Sequence, residues 1–171
     1  MKHLYLNLKR FDVPPVYGGV NRLAPGEKWG GTVVERTQEA LARYDAARVE
    51  FVQFFPEAHI IGARSACRPG GPVRIGCQGV YREDTAEGGN FGAFTAGRTA
   101  NSMKALGCVY TLIGHCEERT DKKGVLAEAG IADAGAVNRL LNREIRCAQA
   151  AGLKVLYCIG ETADEQPDWE R

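Results

Sequence analysis

The sequence predicts an α/β fold organised around a parallel sheet, and two observations carry that prediction. Short apolar runs rich in Val, Ile, Leu, Tyr and Cys alternate along the chain with longer segments of helical periodicity. Two of the helical segments also pass through a single glycine straight into the next apolar run, in "KALGCVYTLIG" and "QAAGLKVLYCIG". A crossover helix returning the chain to a parallel strand does this.

The first run is "LYLNL" at 4–8. Its period of two places Leu4, Leu6 and Leu8 on one face and Tyr5, Asn7 and Lys9 on the other. A long connection, 10–31, follows and is expected to bring Arg10 and Asp12 to the mouth of the fold. The stripe Val33, Val34, Thr37, Leu41 and Tyr44 predicts a helix over 32–48. Then come the strand "EFVQFF" (50–55), a shorter helix over 56–66 and the strand "VRIGC" (73–77). A second long connection, 79–94, leads to a helix from Thr99 to Leu106 closed by Gly107, and to the strand "CVYTLIG" (108–114). Asp133 is expected to cap a helix with Val137, Leu140, Leu141, Ile145 and Ala148 on one face, ending at Gly152 before "LKVLYCIG" (153–160). The order is β-α-β-α-β-α-β-α-β, with the later strands expected to be buried on both faces. In such sheets ligand chemistry sits at the C-terminal ends of the strands, where both long connections lie.

The chain has 171 residues, 44% hydrophobic, and a formal net charge of +1. That balance fits an ordinary globular core and argues against a disordered tail or a polybasic nucleic-acid binder. No apolar run approaches the roughly 18 residues of a membrane helix. The N-terminal segment alternates too regularly for a signal peptide, so a cytoplasmic location is expected. Six cysteines without a C-x-x-C pair suit neither a disulfide framework nor a zinc site. They read as small core residues, apart from Cys116 beside His115, where a Cys-His nucleophile is a minor reading.

Five parallel strands fit either an open flavodoxin-like sheet or the first five units of a (β/α)8 barrel, which takes about 250 residues. The residues at the strand exits bear on that choice. Lys9 could simply mark the wet end of its strand, or it could offer a fixed cation to an anion in a barrel mouth. His115 stands just past the fourth strand after a glycine, where histidines are more often structural than catalytic. Glu117 suits a solvated first helical turn.

Taken together, these exits resemble the triosephosphate isomerase family. Asn7-Leu8-Lys9, Gly114-His115-Cys116-Glu117 and Cys158-Ile159-Gly160-Glu161 are similar to its N-x-K, "GHSE" and "CIGE" signatures, in that order. "GAFTAG" (92–97) and "CQGVYRED" (77–84) resemble two further family segments. The resemblance implies a (β/α)8 TIM barrel of which this chain supplies about the first five β/α units. It also implies an aldose–ketose isomerase acting on a short sugar phosphate through an enediol(ate), without metal or organic cofactor. In the roles it implies, Lys9 supplies positive charge to the substrate phosphate and the enediolate, and Asn7 helps to place it. His115 polarises the carbonyl and moves a proton between oxygens as a neutral imidazole, and Glu117 supports the lysine.

The pattern also departs from the family. The family's glutamate base after the sixth strand, its lid and its glycine-rich phosphate loops have no counterpart in the sequence. Residues 1–171 are therefore expected to form a single domain, incomplete and inactive alone. The remaining C-terminal barrel segment would come from a second chain or have been lost by cleavage, and a homodimer is expected. Connection 10–31 is longer than the family's, connection 79–94 carries an insertion at a family dimer contact, and Cys116 replaces a serine. A tetrulose phosphate such as an erythrulose phosphate is therefore an alternative substrate. A non-catalytic barrel-derived module and an unrelated flavodoxin-like protein are the other readings.

Overall fold

The computed structural model describes residues 1–160. Strand β1 (Lys2–Asn7) is followed by a short 3₁₀ turn (Pro15–Tyr17), helix α1 (Gly26–Leu41), strand β2 (Val49–Phe55) and helix α2 (Glu57–Ala66). Strand β3 (Val73–Cys77), helix α3 (Ala100–Ala105), strand β4 (Tyr110–Ile113), helices α4 (Cys116–Glu128) and α5 (Ala136–Ala150), and strand β5 (Lys154–Tyr157) complete it.

The five strands form one parallel sheet in the order β1-β2-β3-β4-β5. A doubly wound sheet reverses its strand order and carries helices on both faces. Here the order is sequential, and among the described residues the helices cover one face only. Trp29, Val33 and Val34 of α1, Ile60 and Ala63 of α2, Met103 of α3, and Val137, Leu141 and Ala148 of α5 pack against Phe55, Val73, Ile75, Cys77 and Ile113 from the strands. The opposite face holds a smaller cluster built from Val52, Phe54, Tyr110 and Leu112, with no helical member. This excludes the flavodoxin-like alternative. The first cluster holds the energy: Phe55, Ile60, Ile113 and Leu141 are fully buried, each contributing about 1.5–3 kcal/mol.

The sheet curls toward its helix-free face. Strands lie about 4.8 Å apart, so β1 and β4, with β2 and β3 between them, would be about 14 Å apart in a flat sheet. Yet the Tyr5 and Tyr110 rings meet edge-on at 5.7 Å, and the Tyr110 hydroxyl donates to Glu50 Oε2 of β2 at 2.6 Å. Gly76 of β3 leaves the space: a Cβ there would stand 2.5 Å from Phe54 Cδ1. The result is half of a (β/α)8 barrel, concave on the side that carries Tyr5 and Asn7.

Several boundaries differ from the sequence expectation. Helix α1 starts at Gly26, well before residue 32, because Trp29 is drawn into the core against Phe55 (ring centroids 6.0 Å) and outweighs the poor propensity of "GEKWGG". It ends at Leu41, and Tyr44 lies beyond it, its ring against Phe51 at 5.5 Å. Helix α4 extends well past the first turn that Glu117 suggests, although it has no buried residue and no apolar stripe. Helix α5 is capped by Gly135, with Asp133 accepting the Gly135 N–H at 2.8 Å one step earlier. The expected double burial fails at β5, whose Lys154 and Tyr157 are exposed. It also does not extend to β1, where Leu4 and Leu6 are 55% and 48% exposed. Among the described residues these two strands are the sheet edges. All six cysteines are free, Cys77 and Cys108 fully buried and Cys116 exposed.

Candidate active site

Each predicted site residue falls at the C-terminal rim of the sheet. Lys9 follows β1 in a left-handed backbone conformation, φ +42°, one that a side chain with a Cβ adopts only when its surroundings hold it there. Those surroundings are visible. The Lys9 N–H donates to Asn7 Oδ1 at 2.9 Å, and Gln78 Nε2 donates to the Lys9 carbonyl at 3.0 Å. The same Gln78 amide reaches Asn7 Oδ1 at 3.1 Å and the Phe54 carbonyl at 3.2 Å. Asn7 thus spends its side-chain oxygen on shaping the turn that aims Lys9. Gln78 binds the exits of β1, β2 and β3 together. The sequence reading did not single it out, although it stands inside the quoted segment 77–84.

Lys9 Nζ donates to Glu117 Oε1 at 2.8 Å. The hydrogen bond and charge of Glu117 raise the Lys9 ammonium above its ordinary range, and the hydrogen bond from Lys9 lowers the Glu117 carboxyl. The side chains are 40% and 70% exposed, so water screens the pair and its contribution to stability is slight.

His115 caps α4. Its Nδ1 accepts the Glu117 N–H at 3.4 Å. A bond in that direction makes Nδ1 the acceptor and leaves Nε2 as the ring's donor nitrogen. Glu117 therefore meets both groups, the ammonium through its carboxylate and the imidazole through its backbone. The Cys116 thiol lies 3.7 Å from the same Nδ1, a nitrogen already engaged by the helix. An ammonium and an imidazole N–H donor gathered around one residue are suited to stabilising an oxyanion.

The long connections take different roles. Arg10 is exposed and donates to Asp12 Oδ2 at 2.8 Å. Asp12 does not open onto the mouth as expected: it is 8% exposed, and its carboxylate is paired with His59 Nε2 of α2 at 2.9 Å. In the other connection Asp84 accepts the Asn101 N–H at 3.0 Å, and Tyr81 packs on Phe94 at 5.7 Å. Glu161, the last member of the third signature, lies outside the described residues. Among the described residues no group of three or more His, Cys, Asp or Glu side chains could hold a metal ion. None of their helices is long and apolar enough to cross a membrane.

Comparison with known proteins gives this geometry a family. The family model described as triosephosphate isomerase matches residues 28–170, taking in His115 and Glu117 but starting after Asn7 and Lys9. The triosephosphate isomerase of Alcanivorax borkumensis is 36% identical over 128 residues, covering 75% of this chain and 43% of that protein. That of a Ruegeria species is 33% identical over 147 residues, covering 85% and 52%. The crystal structure of triosephosphate isomerase from Bartonella henselae superposes with a TM-score of 0.63 at 22% identity, covering 96% of this chain and 54% of that one; this likeness speaks for the fold. The chain spans about half the length of the curated relatives it matches. With a family model over most of its length and relatives above 30% identity, the chain belongs to the triosephosphate isomerase family.

Proposed function

We propose that the chain carries the electrophilic half of an aldose–ketose isomerase for a short sugar phosphate, most simply the interconversion of dihydroxyacetone phosphate and glyceraldehyde 3-phosphate. The observation that carries this reading is the meeting of the Lys9 ammonium and the His115 imidazole on Glu117. An enediolate needs positive charge and a neutral hydrogen-bond donor at its oxygens, placed before the charge develops. Lys9 supplies the charge to the phosphate side and the enediolate, and Asn7 shapes its turn. His115 donates from Nε2 to the carbonyl oxygen and passes a proton between the two oxygens, and Glu117 holds Lys9 on station. No cofactor enters the reaction.

Removing the proton from carbon requires a base, and closing the site over the intermediate requires a lid. On this reading both come from the C-terminal barrel segment, beyond the span over which this chain matches its relatives. Residues 1–171 act as one domain that needs a C-terminal barrel segment as partner and associates further as a homodimer.

A tetrulose phosphate is the second reading, favoured by the rim. Arg10, held by Asp12 at 2.8 Å, stands exposed directly after Lys9, where it meets a longer or differently hydroxylated sugar. The experiment is to complement the chain with the sixth to eighth β/α units of a family member and assay triose and erythrulose phosphates. Turnover lost by more than about a hundredfold in Lys9→Ala and His115→Ala is expected. No turnover of either sugar, or turnover indifferent to both substitutions, rejects the reading in favour of a non-catalytic module.

A further inference from the structure

We propose that Glu118 is a positioning residue for His115: its carboxylate holds the peptide that presents the imidazole, and the Lys122–Glu144 pair behind it holds that carboxylate. The inference rests on His115 acting as the electrophile described above, but its geometry can be read without turnover.

The peptide in question is Gly114. Its φ is +80°, and a Cβ there would stand 2.9 Å from the Cys158 carbonyl oxygen and 3.0 Å from Arg119 Nη2. The turn is therefore both left-handed and tightly enclosed. Its N–H donates to Glu118 Oε2 at 2.6 Å and its carbonyl accepts from Arg119 Nε at 2.8 Å. One residue thus receives an anion on its donor and a cation on its acceptor, both sent back from the first turn of α4. Charge-assisted bonds of this kind are roughly twice as strong as neutral ones. His115 is the next residue, so the direction of its side chain is set by a peptide gripped on both sides.

Each grip is itself supported. Arg119 Nη2 also donates to the Cys158 carbonyl and the Tyr157 hydroxyl, both at 2.9 Å, and Nη1 donates to Asn138 Oδ1 at 3.1 Å. Glu118 Oε1 accepts from Lys122 Nζ at 2.7 Å, and the same ammonium lies 2.9 Å from Glu144 Oε1 on α5. The Glu144 side chain is 5% exposed, and its second oxygen, Oε2, is buried with no hydrogen-bond partner among the described residues. Two carboxylates thus share one ammonium in a place with little water.

Such a pair cannot comfortably hold two negative charges. Burial, followed by the neighbouring Glu118, pushes the Glu144 carboxyl up to about 7. Glu118 is also penalised by burial, but the neighbouring Glu144, the Lys122 ammonium and the Gly114 N–H together keep it below the usual carboxylate range. The proton therefore resides on Glu144. Asp121 of α4 and Arg82 and Arg98 of the connection after β3 line the same cleft of about 320 Å³, and the Cys147 thiol of α5 lies close enough to Glu144 to feel its charge. When Glu144 loses its proton, Lys122 is drawn toward it and away from Glu118, and the grip on Gly114 loosens.

The test is nuclear magnetic resonance on the ¹⁵N-labelled chain between pH 5 and 9, following the Gly114 amide and the His115 ring nitrogens. The wild type is expected to show a far-downfield Gly114 amide that moves with a midpoint near 7. Glu144→Gln should keep the downfield position and lose the midpoint. Glu118→Gln should move the amide upfield and replace the single His115 tautomer by an averaged one at every pH. Gly114 and His115 signals that superpose on the wild type in Glu118→Gln would overturn the proposal. Should that variant not fold, a Gly114 midpoint persisting in Glu144→Gln overturns it equally. If both shifts occur while the complemented barrel turns over no sugar phosphate, the grip stands and the isomerase reading falls.

Discussion

Lys9 and Glu117 are 108 residues apart in sequence, and the Lys9 Nζ to Glu117 Oε1 distance is 2.8 Å. One leaves β1 and the other opens the helix after β4. Only a sheet curled until its first and fourth strand ends converge can join them.

That contact predicts a titration. In Lys9→Ala the Glu117 carboxyl should rise toward the usual carboxylate range, followed by carbon NMR. In the wild type the depressed Glu117 value makes the pair's small stabilisation present above the ordinary carboxylate range and lost as pH falls through the folded value. The raised Lys9 value places the other loss above the usual lysine range. Stability near neutrality should therefore be flat with respect to this pair, and the urea midpoint of Lys9→Ala unchanged at pH 7. A Glu117 titration identical in both proteins would contradict the contact.

Glu144 predicts a slope of the opposite kind. Its carboxyl is raised from 4.5 to about 7, so the folded chain holds this proton more tightly than the unfolded chain does. Stability is then fully present at the acid end and falls as pH rises from about 4.5 to about 7, by up to about 3 kcal/mol. Glu144→Gln keeps the neutral form at all pH values. Urea unfolding should show the variant more stable than the wild type at pH 8, with that slope removed. A slope equal to the wild type's would place the proton elsewhere.

His59 and Asp12 predict a loss of anchorage. Among the described residues, replacing His59 by Leu leaves the buried Asp12 carboxylate with Arg10 alone, and one Asp12 oxygen already lacks a hydrogen-bond partner there. A cost of about 2–4 kcal/mol in urea unfolding is expected. The double variant with Asp12→Asn should recover much of it, because no charge is then left buried. Additive costs in the two single variants would refute the pairing.

Gly76 predicts a steric coupling. Gly76→Ala drives a methyl into the Phe54 ring and should cost about 1–3 kcal/mol. In a Phe54→Leu background the same change should be nearly neutral, a double-mutant cycle readable by thermal unfolding.

How far the sequence foretold these features depends on how local each cause is. The places of Lys9, His115 and Glu117 at the strand exits were legible because a strand's alternation and a Gly-His turn fix where such side chains emerge. The strands 50–55 and 73–77 were legible for the same reason, since their burial is written as an apolar run. Helix α4 was not, because His115 at its N-cap and the Glu118–Lys122 ion pair, backed by the Glu144 carboxyl, hold it, and none of these leaves an apolar stripe. The early start of α1 was hidden behind two glycines, since the burial of Trp29 that overrides them depends on β2. Asp12 reads as a surface acid until His59, 47 residues away, is brought against it.

The aromatic contacts across the concave face set a condition on whatever closes the barrel. Tyr5, Phe54 and Tyr110 meet one another at centroid distances of 5.7–6.4 Å and occupy the concave face between β1 and β4. Strands that complete the ring must therefore turn small side chains inward at that level. A completing segment bringing bulky ones would be rejected on volume before any of its chemistry could be tried.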